Sequence, residues 1–189
     1  MKDTDSVYLE NTKSMPPSMN LVRAVELLGH GGSALDIGCG SGRDSQFLAE
    51  KGFVVTAIDK STAAEPHLAG MGGVNFVQAD VRQFQLRSYD IVNAMYSLSF
   101  LPRADFFTTV PKVLKSIKPD GFFAGNIFGE RDEWNDGRAT MTFCTKEEVM
   151  ALFEDFTLIN FQDNERDGKL ANGDPKYWHD FLIVAQKHQ

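Results

Sequence analysis

Apolar residues along this chain gather in short runs, and helical spacings of apolar and polar positions lie between them. Ser33-Ala34-Leu35-Asp36-Ile37 and Phe53-Val54-Val55-Thr56-Ala57-Ile58 are compact and largely apolar, as expected of strands covered on both faces. Val74 to Ala79, Tyr89 to Met95 and Phe122 to Phe128 repeat the pattern. Between them, Leu21, Val22, Val25 and Leu28 recur on one helical face, opened by Pro16-Pro17-Ser18 and stopped by Gly29. A second helix is predicted over 42–51, with Gly52 closing it, and a short third over 61–69. Phe106, Phe107, Val110, Val113, Leu114 and Ile117 mark a fourth, in which Pro111 predicts a kink or a restart. Thr145-x-x-Glu148 reads as a capping box for a fifth, with Phe143 or Cys144 available to staple Val149.

The alternation breaks at the end. Phe156 to Asp163 and Tyr177 to Gln186 read as two strands with no helix between them, joined by a loop rich in Gly, Asp and Asn. Strands joined that way pair antiparallel. The pattern predicts an α/β fold: a doubly wound, mostly parallel sheet with an antiparallel C-terminal hairpin. Neither a repeat nor a linker divides it, so one domain over 1–189 is expected. Residues 1–16 are polar and read as irregular, a mobile segment in which Val7, Tyr8 and Leu9 are available to fold over a site.

Composition narrows the partners. The 189 residues are 42% hydrophobic and 24% charged, ordinary for a globular domain with a real core. A net charge of −7 disfavours duplex nucleic acid and anionic membranes, both of which select basic faces. Cys39 and Cys144 form no disulfide framework or zinc pattern, and no apolar run approaches membrane-spanning length. With no apolar leader at the N-terminus either, the expected compartment is cytoplasmic.

The chemistry concentrates at the carboxyl ends of the first strands. Gly38-Cys39-Gly40-Ser41-Gly42 turns the first strand into a helix, and glycines there let a nucleotide-like ligand press on bare backbone. A dinucleotide loop is G-x-G-x-x-G, but Arg43 stands at the third glycine position, and Asp36 precedes the loop. An acid there repels a diphosphate and suits the amino end of a zwitterion. Asp59 follows Gly38 by 21 positions, where a carboxylate matches a ribose diol. Asp80 ends the third strand, placed to accept an exocyclic amine, with the Val81 backbone at the ring edge. Each acid also has a plainer role open to it as a helix or turn cap.

Taken together, Asp36-Ile37-Gly38-Cys39-Gly40-Ser41-Gly42, Asp59 and Asp80 resemble the motifs of class I S-adenosylmethionine-dependent methyltransferases. Ala34 to Ser45, followed by Phe47-Leu48-Ala49-Glu50-Lys51-Gly52-Phe53, is most similar to the small tellurite-resistance-type and related small-molecule members. The tryptophan–histidine pair of the last strand, Trp178-His179, is also similar to that group. The resemblance implies a Rossmann-like seven-stranded sheet whose last strand inserts antiparallel beside the fifth. It implies S-adenosylmethionine as cofactor, held by Asp36, Gly38, Cys39, Gly40, Asp59, Lys60, Asp80, Val81 and Ala94. Tyr96, after the fourth strand, is placed to face the methyl group, and His179 to act in acid–base or substrate contacts; these are the candidate catalytic residues.

Asn93-Ala94-Met95-Tyr96 lacks the prolines of the Asn/Asp-Pro-Pro-Tyr/Phe signature of amino-directed nucleic-acid and protein-glutamine enzymes. That and the acidic balance favour a small-molecule acceptor. The polar stretch Gly129 to Arg138 carries Trp134 and reads as a lid or a solvated loop, with Arg131 and Arg138 available to an anionic substrate. Two other functions remain open from the residues: a non-catalytic module binding S-adenosylmethionine or S-adenosylhomocysteine, and an NAD(P)-dependent oxidoreductase.

Overall fold

A computed structural model describes residues 4–137 and 139–189. Its centre is a seven-stranded sheet in the order β3-β2-β1-β4-β5-β7-β6. β1 (Ser33–Ile37), β2 (Val54–Asp59), β3 (Val74–Gln78), β4 (Tyr89–Ala94) and β5 (Ile117–Phe128) run parallel. β6 (Phe156–Lys169) and β7 (Pro175–Lys187) form the predicted hairpin, with β7 inserted antiparallel against β5. Both hairpin strands outrun the apolar pattern, because their far halves are polar and project past the sheet.

Side chains alternate between two cores, as strand geometry requires. One face carries Leu35, Ile37, Val92, Phe123, Ile127, Phe181 and Ile183 against α5 (Arg103–Lys115) and α6 (Lys146–Leu152). The other carries Ala34, Val55, Ala57, Ile91, Ala124 and Val184 against α2 (Met19–Leu28) and α3 (Arg43–Glu50). α2 begins where expected: Ser18 Oγ accepts the Leu21 amide at 3.4 Å, and Gly29 closes it at φ 74°.

The structure differs from the sequence expectation elsewhere too, and Ile117, read with the fourth helix, opens β5 instead. Residues 4–12 form a helix, α1 (Thr4–Thr12), rather than an irregular segment. The segment 61–69 divides into a 3-10 turn, Thr62–Ala64, and a single turn of α-helix, α4 (Glu65–Leu68). α5 runs continuously through Pro111, so the restart is absent. Proline removes one backbone donor there, but the fully buried Phe106, Val110 and Val113 bind the helix to the sheet on both sides of the break.

The capping box forms as read: Thr145 Oγ1 accepts the Glu148 amide at 3.2 Å and Glu148 Oε2 the Thr145 amide at 3.1 Å. Thr145→Ala is expected to lower unfolding free energy by about 1 kcal/mol, seen as a lower denaturant midpoint at unchanged slope. An unchanged midpoint would remove the box from the stability of α6.

Candidate active site

β1 ends in a turn that only glycine follows without strain. Gly38, Gly40 and Gly42 have φ of 69°, 52° and 78°. The Gly38 and Cys39 amides donate to the Ile58 carbonyl at 2.8 and 3.1 Å, which docks the loop on the end of β2. Asp59 completes the clasp: Oδ2 accepts the Gly40 amide at 3.0 Å and Oδ1 the Ser61 amide at 2.9 Å. A carboxylate has about four acceptor positions, so Asp59 keeps two beyond these bonds. It is thus cap and clasp at once, with capacity left for a diol.

Two neighbours crowd the loop. A Cβ on Gly38 would lie 2.5 Å from Ser97 Cβ, so no other residue fits there. α1 lies over Gly40: Leu9 is 5% exposed, and its Cδ2 would be 3.3 Å from a Cβ on Gly40. Thr12 Oγ1 donates to Ser41 Oγ at 3.2 Å. Tyr8 stays 47% exposed, within electrostatic reach of Arg43, Asp44 and Asp59. The segment thus meets the loop as a helix, through Leu9 and Thr12; the side chain of Val7 lies outside the described residues.

Beneath the loop is a buried polar knot. Asp36 Oδ2 accepts the Ser45 hydroxyl at 2.5 Å, and Oδ1 accepts the Asn93 amide nitrogen at 2.8 Å. β1 and β4 bring Asp36 and Asn93 opposite each other in register. The same Asn93 nitrogen lies 3.3 Å from Asp44 Oδ2, and Asp44 is gripped by Arg43 at 3.0 and 3.1 Å. Asp44 Oδ1 also accepts the Ser18 amide at 2.9 Å, fastening the start of α2. Burial, reinforced by the nearby Asp44 charge, pushes the Asp36 carboxyl up to about 7. Burial likewise pushes the Cys39 thiol well above its usual range, so it stays protonated and unreactive.

Two buried atoms in this region make no hydrogen bond: Asn93 Oδ1 and Ser97 Oγ. Buried polar groups are normally paired, so both leave hydrogen-bonding capacity unmet at this end of the sheet. Both belong to β4 or the turn after it, as does the fully buried Ala94.

The adenine-side candidates are arranged differently. Asp80 is held by Arg82 through Nε at 3.0 Å, Nη2 at 2.5 Å and the backbone amide at 2.9 Å. Those bonds to Arg82 keep its carboxyl below the usual range. Arg82 also reaches Asp105 at 2.7 Å, tying this loop to α5. Val81 is half-buried against the α5-side core, and Lys60 is exposed.

Past β4 the chain makes a costly turn. Tyr96 has φ 48°, rare for a residue with a side chain, and its amide donates to Asn126 Oδ1 at 2.6 Å. Its hydroxyl lies 3.4 Å from Asp180 Oδ2 and 3.3 Å from Arg166 Nη2. Asp180 is fully buried, bonded to Arg166 at 2.8 Å and Asn164 at 3.1 Å. Burial, then the Asp180 charge, pushes the Tyr96 phenol up to about 12, so it stays protonated at neutral pH. Asn126, Arg166 and Asp180 were not singled out from sequence. Asn126 does carry a signal, since it is a polar residue inside the apolar run Phe122 to Phe128.

His179 does not join this end. Trp178 and Asp180 project toward Tyr96, and His179 lies on the opposite face of β7 beside Phe181. It is 1% exposed; Nδ1 accepts the Arg131 amide at 2.9 Å, and Nε2 meets Asp163 Oδ1 at 3.0 Å. Arg131 in turn pairs with Glu165 at 2.8 Å, so its cation is already met by carboxylates. Arg138 lies outside the described residues. The stretch read as a lid is anchored rather than merely solvated: Asp132 is 3% exposed and Trp134 packs 5.8 Å from Trp178.

A glycine turn clasped by the acid of β2, in a parallel sheet with one reversed strand inserted beside β5, defines the class I methyltransferase fold. Residues 34–121 match the family described as a methyltransferase domain. Residues 34–121 are thus similar to a methyltransferase domain, set in a sheet with the class I methyltransferase fold. It is 35% identical over 104 residues to the putative methyltransferase YqeM of Bacillus subtilis, covering 51% of this chain and 42% of that protein. It is also 35% identical over 100 residues to a ubiquinone biosynthesis O-methyltransferase of Nitrosospira multiformis, covering 49% and 41%. The chain thus spans less than half the length of these relatives. The solved structure of TehB from Haemophilus influenzae superposes with a TM-score of 0.78 at 18% identity, over 94% of this chain and 64% of that one. A Burkholderia thailandensis 1,6-didemethyltoxoflavin-N1-methyltransferase, solved with its substrate and S-adenosylhomocysteine, gives 0.64 at 22% identity over 90% and 79%. Among the described residues, no helix is long and apolar enough to cross a membrane.

The buried knot has a consequence for stability. Folded Asp36 holds a proton up to about pH 7, whereas the unfolded carboxyl loses it near 3.8. Folding free energy is therefore lost as pH rises from about 4 to about 7. Asp36→Asn removes that cost and keeps an oxygen for Asn93. Its stability relative to the parent is expected to improve by on the order of 2 kcal/mol between pH 5 and pH 8 in denaturant titrations. A difference that is the same at both pH values would show that Asp36 is already ionised at pH 5.

Proposed function

We propose that this chain is an S-adenosylmethionine-dependent methyltransferase acting on a small-molecule acceptor. The observation that carries the reading is the Asp59 clasp: one carboxylate fixes the glycine turn and keeps acceptor capacity for a ribose diol. The cofactor supplies an activated methyl group on a sulfonium, so the protein's task is to orient and to exclude water.

Asp36, through the loop, suits the amino end of the methionine moiety. An ammonium there stabilises the ionised carboxylate and takes over the charge balance that the proton now provides. Gly38, Cys39 and Gly40 offer backbone to the ligand, and the unpaired Ser97 Oγ, beside Gly38, suits its methionine end. Asp80, with Val81 and Lys60 beside it, takes the adenosine end. Arg82 already uses part of the Asp80 carboxylate, so adenine contact there is shared. The Ala94 carbonyl addresses the methionine chain.

Tyr96 marks the acceptor end. Its protonated phenol, between Asp180 and Arg166, orients an acceptor by hydrogen bonding rather than by acting as a phenolate. His179, on the far face of β7, serves by holding the 129–137 loop through the Arg131 amide.

Asp59→Ala is expected to weaken S-adenosylhomocysteine binding by roughly 1.5–3 kcal/mol in calorimetric titration, the scale of hydrogen bonds to a charged group. The parent should bind S-adenosylmethionine and S-adenosylhomocysteine but not NAD; binding of NAD alone would establish the oxidoreductase instead. Removing residues 1–15 should speed S-adenosylhomocysteine release by roughly tenfold or more in stopped flow, the scale of uncovering one leucine. An unchanged release rate would mean that α1 does not retain the cofactor.

A further inference from the structure

One buried charged group takes no part in the site as described above. Lys176, on the hairpin, has a side chain 1% exposed, and it pairs at 2.5 Å with Asp132, 0% exposed. Its ammonium lies 4.4 Å from the ring centroids of both Trp134 and Trp178 and 5.9 Å from that of Phe128. Trp134 and Asp132 belong to the loop; Trp178 belongs to β7. A single cation therefore ties two separate segments together.

Backbone amides also join those segments: Gly129 donates to the His179 carbonyl at 2.8 Å and Arg131 to His179 Nδ1 at 2.9 Å. β5 stops pairing with β7 at Phe128↔Asp180, so 175–179 has only β6 and the loop as neighbours in the ladder. The loop pairs back further: Glu133 donates its amide to the Tyr177 carbonyl at 3.2 Å and accepts the Tyr177 amide on Oε2 at 2.7 Å, and the His179 amide donates to Asp132 Oδ2 at 3.1 Å. On the other face, Arg131 meets Glu165 with half its side chain exposed, which makes for a soft tie. Cation–π contact strengthens when the cation is desolvated, as Lys176 is. Yet a buried ion pair adds little net stability compared with apolar side chains of similar volume. What it supplies is a defined geometry that comes apart once the two charges separate and regain water.

We propose that Lys176 and Asp132 form a latch that closes the loop 129–137 and the far half of the hairpin into one wall beside Tyr96, and that this wall opens as a unit to admit the acceptor. The wall is next to Tyr96 because Trp178 lies edge-on to its ring at 5.5 Å. That it serves acceptor entry rests on the reading of Tyr96 given above. Lys176 is then a positioning residue, acting through the two tryptophans.

The test uses the full chain with and without S-adenosylhomocysteine, and it has a built-in reporter. The chain has 2 tryptophans, and both line the latch. In the unmodified protein, native-state hydrogen exchange should show 129–133 and 175–179 opening together, at least tenfold more often than β1 and β4. Both tryptophans are half-buried, so acrylamide, a small neutral stand-in for an acceptor, quenches them to a baseline in the closed wall. K176M should raise exchange at least tenfold, raise quenching above that baseline and shift emission to longer wavelength, while S-adenosylhomocysteine affinity stays within twofold. K176R, which restores the cation, should return exchange toward that of the unmodified protein.

Exchange of both segments only through global unfolding in the unmodified protein would overturn the latch, and that result needs no variant. So would a K176M protein in which β1 and β4 loosen as much as the wall. Failure of the unmodified protein to bind S-adenosylhomocysteine would refute the cofactor reading instead, leaving the exchange result to decide the latch by itself.

Discussion

The carboxyl of Asp36 is buried between β1 and β4, and α3, β4 and the start of α2 take their positions from the hydrogen bonds around it. Ser45 fixes the first turn of α3 to it, and Asn93 fixes β4. Through that same amide nitrogen the knot reaches Asp44, and through Asp44 it fastens Arg43 and the start of α2. An unpaired buried carboxylate would be expensive, so the surrounding donors cannot be lost one at a time without cost. The glycine turn is spanned between this knot and the Asp59 clasp, and its shape follows from both. The site is held from below before any ligand arrives.

The legible parts of the fold were those written in local chemistry. Ser18, Gly29, Gly52 and the Thr145–Glu148 pair placed helix ends because caps act within a few residues. Apolar runs placed the strands because both faces of the sheet are covered. The parts that were not legible depend on distant partners. α1 has almost no apolar periodicity of its own; it is helical where Leu9 meets Gly40 and Thr12 meets Ser41. Pro111 reads as a kink or a restart, yet buried residues on either side of it keep α5 continuous.

The same division runs through the site. Asp36, Asp59 and the glycines announce themselves by spacing along the chain. Asn126, Arg166 and Asp180 come together only because β7 is inserted beside β5, a pairing that brings residue 180 opposite residue 128. Asp132 looked like part of a solvated loop, since its neighbours are charged, but its partner Lys176 lies 44 positions away. His179 showed the opposite error of scale. Its neighbour Trp178 faces Tyr96, and strand alternation turns the histidine to the other side.

Insertion of β7 between β5 and β6 divides the labour of the sheet. The five parallel strands carry the glycine turn and its acids, whereas the aromatic wall beside Tyr96 comes from the hairpin and from the loop that grips it. Trp178 itself fits because Gly168, its cross-strand neighbour's companion, leaves room: a Cβ there would lie 3.0 Å from the indole. On the proposed reading, recognition at the two ends can therefore diverge at different rates: a lineage can exchange hairpin and loop together, as one cassette, while keeping the glycine turn and its acids unchanged.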